Sequence, residues 1–265
     1  MVVGENKSIC LIEPDDKDGS SQGISLGQVI LSKINASPEK VLLKYKKYGS
    51  FRNISGFETL NSMKALYIVL SEIGLQKGDR VLFISDNKQQ LITSVLSVVS
   101  VGFVAVPVHP DYTPRQILNV INNCKPKCII ISDEIQLDKL DSIHVPENIP
   151  IITFDNISND FLYYKDIVKK FKNKQSDFEN KVSNVLSEDI ACILYTGNET
   201  NSLLGTVLTH NNIINTANSF LKEFNLSEKD ICLSYIPLSQ SLSGITELYS
   251  MIFAGGVISV ADNSD

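Results

Sequence analysis

The feature that most constrains the fold is an alternation between strand-length apolar runs and amphipathic segments of helical length. The runs "VLFIS" at 81–85 and "CIIIS" at 128–132 are almost wholly apolar, as is typical of strands covered on both faces. Segments 88–101 and 114–123 have the length and apolar spacing of helices, with the strand 103–108 between them. This alternation predicts an α/β fold with doubly wound, mostly parallel sheets.

The same pattern suggests four regions along the chain. Residues 1–24 are polar and turn-forming, which predicts a mobile tail. Residues 25–162 carry the alternation and form a predicted first α/β subdomain. The charged stretch 163–188 breaks the alternation and is interpreted as a surface excursion or a boundary, after which 189–265 begins a second α/β subdomain. A buried strand at 257–260 has no crossover helix after it, so either the sheet ends there or the chain is part of a larger domain.

Composition excludes several classes of function. With 265 residues, 43% of them hydrophobic, the chain can bury a sizeable core, and its net charge of −6 makes nucleic acid an unexpected partner. Five cysteines without paired C-x-x-C spacing and three scattered histidines predict ordinary thiols in a reducing compartment and no metal site. No apolar run reaches the ~20 residues of a membrane span, so we expect a cytoplasmic protein, with peripheral membrane contact left open.

The stretch "LYTGNETNSLLGTVLTHNN", at 194–212, has the order strand, polar turn, strand and helix start. Such a turn can hold a phosphate through backbone N–H groups and hydroxyls. Thr209 precedes the helix and is expected to cap it together with Asn212. His210 is interpreted as a packed or surface helix residue rather than an acid or base, and no carboxylate pair suggests general acid and base catalysis.

This stretch resembles the signature loop of the adenylate-forming (AMP-binding) enzymes, which activate carboxylates with ATP. Their loop reads Y-T-S-G-T-T-G-x-P-K-G-V-x-x-T-H-x-N. Aligned without a gap, this chain matches at Tyr195, Thr196, Thr200, Gly205, Thr209, His210 and Asn212. Of these, Thr196, Thr200 and Gly205 are the candidates for contacting nucleotide phosphates.

Two flanking blocks resemble long-chain acyl-CoA synthetases in particular. One contains "AVPVHP" at 105–110, and the other contains "SYIPLSQ" at 234–240. The resemblance covers residues 25–262 and implies the beginning of the family's large N-terminal domain, with its first sheet and the start of its second. It also implies ATP and magnesium as cofactors, CoA in a complete member, a fatty acid as ligand and a completing polypeptide as partner. The family's adenine, ribose and magnesium residues, its hinge and its catalytic lysine would all lie beyond residue 265.

The loop departs from the family pattern at positions that matter for phosphate binding. Glycines let the backbone close around phosphate oxygens, and the lysine offsets the charge of pyrophosphate. The substituted positions are Gly197 for serine, Asn198 and Asn201 for glycine, Glu199 for a hydroxyl residue, Leu203 for proline and Leu204 for lysine. A carboxylate about 4 Å from a phosphate charge costs on the order of 4 kcal/mol at an effective dielectric of 20.

A further departure lies in the second block. Gln240 stands where the family usually has a histidine near the acyl carboxylate, and an amide cannot carry positive charge. Three hypotheses therefore remain. In the first, the chain is part of a long-chain fatty acid–CoA ligase and is inactive alone. In the second, it is a pseudoenzyme that acts as an acyl-binding or protein-interaction module. In the third, it is a truncated gene product with no independent function.

Overall fold

The computed structural model describes residues 9–11, 23–146, 148–158, 160–197 and 203–261. The strands are β1 (Ile9–Leu11), β2 (Val41–Lys47), β3 (Ser50–Ser55), β4 (Arg80–Ile84), β5 (Val104–Val108), β6 (Cys128–Ile131), β7 (Ile151–Thr153), β8 (Leu162–Tyr163), β9 (Ile190–Gly197), β10 (Leu203–Thr209), β11 (Ile231–Ser234) and β12 (Val257–Val260). The helices are α1 (Leu26–Ala36), α2 (Gly56–Glu72), α3 (Gln89–Ser100), α4 (Pro114–Cys124), α5 (Glu134–Asp141), α6 (Tyr164–Phe171), α7 (Phe178–Ser183), α8 (His210–Glu223) and α9 (Ser241–Ala254).

The larger sheet has the strand order β1-β10-β9-β5-β4-β6-β7-β8. Its neighbours pair in parallel except for β9 and β10, which form an antiparallel hairpin. Alternate residues of β4 enter two different cores, with Val81 and Phe83 in one and Leu82 and Ile84 in the other. Helices therefore cover both faces of this sheet, and the predicted doubly wound, mostly parallel α/β fold is confirmed.

A second sheet has the order β11-β12-β2-β3, with only the β2–β3 pair antiparallel. Leu43 of β2 and Ile258 of β12 are fully buried in the same core as Phe83 of the larger sheet. Helices α2, α3, α8 and α9 contact strands of the two sheets from within this core. The molecule is therefore layered, with these helices packed between the two sheets. Strands of both sheets end near the site described below.

The two sheets do not follow the predicted division at residues 163–188. Strands β9 and β10, assigned from sequence to the second subdomain, belong to the larger sheet beside β5. Conversely, the early hairpin β2–β3 joins the late strand β12 in the second sheet. The physical reason is that strand pairing depends on long-range edges and registers, which apolar run length does not encode.

The charged stretch 163–188 is not a surface excursion. Helix α6 packs on α2, and Tyr164, Ile167 and Phe171 are buried at helical spacing. Phe178 and Val182 of α7 are also buried in the main core. The lysines of this stretch occupy the opposite, exposed side, so its high charge reflects an amphipathic helix rather than a boundary.

The N-terminal region contains more than the predicted tail, because Ile9–Leu11 pair in parallel with residues 205–207 of β10. Residues 1–8 and 12–22 lie outside the described residues. The first subdomain begins with helix α1, which has Ser25 as its N-cap. None of the helices in the described ranges is long and apolar enough to cross a membrane.

Candidate functional site: the carboxyl edge of the two sheets

The predicted phosphate-loop stretch forms a hairpin at the carboxyl edge of the larger sheet. Its ladder runs from the Ile190–Thr209 pair to the Gly197–Leu203 pair. Since β9 is parallel to β5, its turn emerges where the other parallel strands also end, the usual location of ligands in open α/β sheets. Thr200 and the substituted residues at 198, 199 and 201 lie outside the described residues.

The two other candidate residues have different environments. Thr196 is exposed at the end of β9 and is paired with Leu204 across the ladder. Gly205 is buried opposite Tyr195, and a Cβ atom at Gly205 would lie 3.1 Å from the ring of Tyr195. Glycine at 205 is thus explained by close packing of a strand on an aromatic ring, whereas Thr196 leaves a hydroxyl available at the turn.

Tyr195 fixes the base of the hairpin to neighbouring elements. Its hydroxyl donates a hydrogen bond to the side-chain carbonyl oxygen of Asn123 at the end of α4. The hydroxyl of Tyr112 donates to the backbone carbonyl of Tyr195 at 3.0 Å. Burial raises the pKa of Tyr112 and of Tyr195, so both hydroxyls stay protonated and act as donors.

Thr209 and His210 hold the other end of the hairpin. Thr209 caps α8 in a reciprocal capping box with Asn212, as predicted. His210 is fully buried, and its Nδ1 accepts a hydrogen bond from the N–H of Leu26 at 3.2 Å. Burial lowers the pKa of His210 to about 4, with Asp189 opposing the shift. Of the two predicted positions for His210, packed or at the surface of the helix, the structure shows the packed one.

A second group of polar side chains gathers around the loop between β11 and α9, residues 235–240. The side-chain amide of Gln240 lies 2.9 Å from Nε2 of His109, which follows β5 directly. An imidazole from β5 therefore reaches the position where the family histidine is replaced by Gln240. Sequence reasoning missed this pair, although "VHP" at the carboxyl end of a buried parallel strand was an available signal.

Asn87, just beyond β4, holds this loop in place. Its side-chain NH₂ donates to the carbonyl of Ile236 at 2.8 Å and to Oγ of Ser234 at 3.3 Å. Gly244 is required nearby, since a Cβ there would lie 2.9 Å from the carbonyl oxygen of Pro237. Through these contacts the ends of β4 and β11 are tied together across the two sheets.

Two buried oxygen atoms in this group have no hydrogen-bond partner within the described part of the chain. They are Oδ1 of Asn87 and Oγ of Ser239. Buried polar atoms are normally paired, so such an atom is available to a ligand or a water molecule. With the His109 ring and the Gln240 amide, the loop offers hydrogen-bond donors that suit a carboxylate, whereas Oδ1 of Asn87 is an acceptor and suits a hydroxyl group or a water molecule.

The described residues do not fit a triphosphate. At the two ends of the turn, Thr196 offers one hydroxyl, and Leu204, the family's lysine position, is 38% exposed and carries no charge. Phosphate sites depend on positive charge or a cradle of backbone N–H groups. Within the described ranges, no group of three or more His, Cys, Asp or Glu side chains could hold a metal ion.

Comparison with known proteins decides the family. The model of the AMP-binding enzyme family matches residues 32–265, nearly the whole chain. The chain belongs to the AMP-binding enzyme family. The resemblance drawn from the hairpin is therefore confirmed, and that family is ATP-dependent.

Relatives include both peptide synthases and fatty acid ligases. The chain is 24% identical over 262 residues to a dimodular nonribosomal peptide synthase of Bacillus subtilis, covering 98% of this chain and 10% of that protein. It is 26% identical over 203 residues to a long-chain-fatty-acid–CoA ligase of Escherichia coli, covering 66% of this chain and 36% of that protein. The chain thus spans only about a tenth to a third of these curated relatives.

A solved structure shows the same fold. The complex of VinN with L-aspartate superposes with a TM-score of 0.76 at 20% identity, covering 91% of this chain and 58% of that one. The described fold is therefore that of part of the N-terminal domain of adenylate-forming enzymes.

Proposed function

We propose that this chain provides the acyl-binding side of a fatty acid–CoA ligase-like protein and forms no acyl adenylate alone. The observation that carries the proposal is the contrast at the carboxyl edge. The loop 235–240 retains an anchored set of carboxylate-binding groups, with Gln240 and His109 only 2.9 Å apart. The hairpin turn instead has an exposed leucine at the lysine position.

A fatty acid is favoured as the carboxylate for two reasons. The blocks at 105–110 and 234–240 resemble long-chain acyl-CoA synthetases, and ligases for long-chain fatty acids are among the relatives. In this proposal His109 takes over the place of the missing family histidine, and its Nε2 exchanges the contact with Gln240 for a hydrogen bond donated to the carboxylate. The Oγ of Ser239 supplies a further donor to the carboxylate.

ATP, magnesium and CoA belong to the complete family reaction in this proposal. Because the described residues do not fit a triphosphate, no step of adenylate formation is assigned to them. Residues for the nucleotide and for thioester formation would come from a completing polypeptide, either a continuation of this chain or a separate one. A binding module without catalysis is the second candidate, and the exposed Leu204 favours it.

Binding of a fatty acid tests the acyl side of the proposal. Dodecanoate is expected to displace a fluorescent fatty acid from the purified chain, and His109→Ala or Gln240→Ala should each weaken dodecanoate roughly tenfold by removing one hydrogen bond. His144→Ala and Gln175→Ala are the matched controls, since both side chains are exposed. Unchanged affinity in the His109 and Gln240 variants would contradict the assignment.

Catalysis is tested separately by dodecanoate-dependent exchange between ATP and pyrophosphate. The chain alone is expected to show no exchange above a sample without protein. Exchange that requires both dodecanoate and magnesium would overturn the proposed inactivity and favour a complete adenylating site. Absence of both binding and exchange would reject the acyl-side function as well.

A further inference from the structure

A strongly basic surface lies on α6 and the residues that follow it. Residues 161–175 contain five lysines and one aspartate, a net charge of +4, in a chain with a net charge of −6. All five lysines are exposed, and we call them the α6 lysine patch: Lys165, Lys169, Lys170, Lys172 and Lys174. The opposite side of the helix is held in the core by Tyr164, Ile167 and Phe171.

The patch differs in its ion pairing from five lysines elsewhere in the described part of the chain. Elsewhere, Lys40 pairs with Glu228 at 3.0 Å, and Lys64, Lys77, Lys88 and Lys181 also contact carboxylates. Across the described part of the chain, no carboxylate lies within 4 Å of a patch lysine. Asp166 on the same helix and Glu72 on α2 line a cavity together with Lys169 and Lys170, and neither forms an ion pair with them.

The lysines also converge in space. Nζ of Lys170 and Nζ of Lys174 lie 5.0 Å and 4.8 Å from the centre of the Phe171 ring, so both charges occupy the same side of the helix end. Lys165 and Lys169 are one helical turn apart, which places their Cβ atoms about 5–6 Å from each other. Four of the five lysines therefore lie as two close pairs, one along α6 and one at its end.

Apolar surface adjoins this cluster. Leu162 is 40% exposed and Ile73 is 36% exposed, and both line a cavity of about 670 Å³ between the end of α2 and α6. Phe161, Tyr163, Lys169 and Lys170 line the same cavity. Lysines beside exposed apolar side chains are typical of proteins that rest on anionic membranes.

We propose that the α6 lysine patch, together with Leu162 and Ile73, docks the protein on a bilayer surface that contains anionic phospholipid. The lysines attract the headgroups, and the two apolar side chains enter the interface. Nucleic acid would use the charges equally but would gain nothing from the aliphatic side chains of Leu162 and Ile73. This inference does not depend on nucleotide or fatty acid binding, so it can fail while the proposed function stands.

Vesicle flotation with the full chain tests the inference. Binding is expected to vesicles of phosphatidylcholine with about 30% phosphatidylglycerol, to weaken at high salt, and to be much lower on pure phosphatidylcholine. Changing Lys169, Lys170 and Lys172 to Gln should weaken binding on the order of 100-fold, since each lysine near the surface contributes about fivefold. The control changes the exposed Lys127, Lys222 and Lys229 to Gln and should retain most of the binding.

A second variant isolates the apolar contribution. Leu162→Gln should reduce the affinity severalfold even at high salt, because the lost contact with the interface is not electrostatic. If the patch variant and the charge-matched control lose vesicle binding equally, the binding depends only on the net charge of the protein, and the proposal is overturned. So would binding to a single-stranded RNA that exceeds vesicle binding and is lost in the same patch variant.

Discussion

The two loops at the carboxyl edge differ in where they are anchored. In the loop 235–240, the residues near the proposed carboxylate are themselves held by hydrogen bonds. Asn87 donates to the carbonyl of Ile236, and the Gln240 amide contacts the ring of His109. In the β9–β10 hairpin, the described anchors lie beneath the turn, at Tyr195 and His210. A turn supported from below can lose its binding residues without loss of the fold, and this explains an altered phosphate loop in an intact sheet.

The largest effect is expected where the hairpin is anchored by His210. Its pKa is about 4 in the folded protein and 6.5 ordinarily, so the unfolded chain takes up a proton first as the pH falls. The neutral ring contributes its full stability above pH 6.5. This contribution falls as the pH is lowered from 6.5 to 4 and is lost below pH 4. The free energy of unfolding of the wild type should therefore drop by about 3 kcal/mol more than that of His210→Asn over this range.

Urea titrations at pH 7, 5.5 and 4 measure this difference. His144→Asn serves as the control, because His144 is exposed and its removal should leave the wild-type slope unchanged. Parallel pH profiles for the wild type and His210→Asn would show that the hairpin is not anchored by a buried neutral imidazole.

The anchor of the other loop should have a smaller effect. Asn87→Ala removes two hydrogen bonds and leaves the Ile236 carbonyl unpaired, so the free energy of unfolding should fall by about 2 kcal/mol. Affinity for dodecanoate should fall as well. Asn122→Ala on the exposed side of α4 should change stability by less than about 0.5 kcal/mol. A similar small effect at Asn87 would remove the proposed difference between the loops.

The cap at Thr209 gives a still smaller test of hairpin anchoring. Thr209→Ala loses the side-chain acceptor of the Asn212 N–H, which should cost about 1 kcal/mol, while Thr209→Ser should retain most of the stability. Denaturant midpoints of the three proteins measure the effect. Equal losses in the two variants would assign the role to the methyl group instead of the hydroxyl.

The turn itself should be nearly neutral for stability. Leu204→Lys alters a residue that is 38% exposed, and we expect the free energy of unfolding to change by less than about 0.5 kcal/mol. The same variant should bind ATP more tightly than the wild type, since it restores a positive charge at the turn. Leu233→Lys, also at an exposed leucine of a strand, controls for added charge and should not bind ATP.

Much of the fold could be predicted because it is local. The apolar run at 81–85 and the helix caps at Ser55 and Thr209 each depend on residues that are close together in the sequence. The structure has a strand at the run and a helix after each cap. Sheet membership could not be predicted, since β2 meets β12 only after two hundred residues of chain. Segment 163–188 was misinterpreted because its lysines draw attention away from the apolar residues, at helical spacing, that pack it against the core.

The candidate site was predictable only in part. Motif spacing located the hairpin and the residues Thr196 and Gly205, but the packing reason for Gly205 is visible only with the Tyr195 ring beside it. His109 and Gln240 lie 131 residues apart in the chain. The letters "VHP" after a buried strand could place His109 at the sheet edge, but they do not indicate its contact with Gln240. Such pairs depend on which strands end at the same edge, a property of topology rather than of local sequence.

Calorimetric titration of the purified chain with ATP and magnesium, and in parallel with dodecanoate, tests the contrast between the two loops most directly. We predict saturable binding of dodecanoate. For ATP we predict no saturable binding up to about 5 mM, which corresponds to a binding free energy weaker than about −3 kcal/mol. Saturable ATP binding at sub-millimolar concentration, in a chain that fails to bind dodecanoate, would contradict the account.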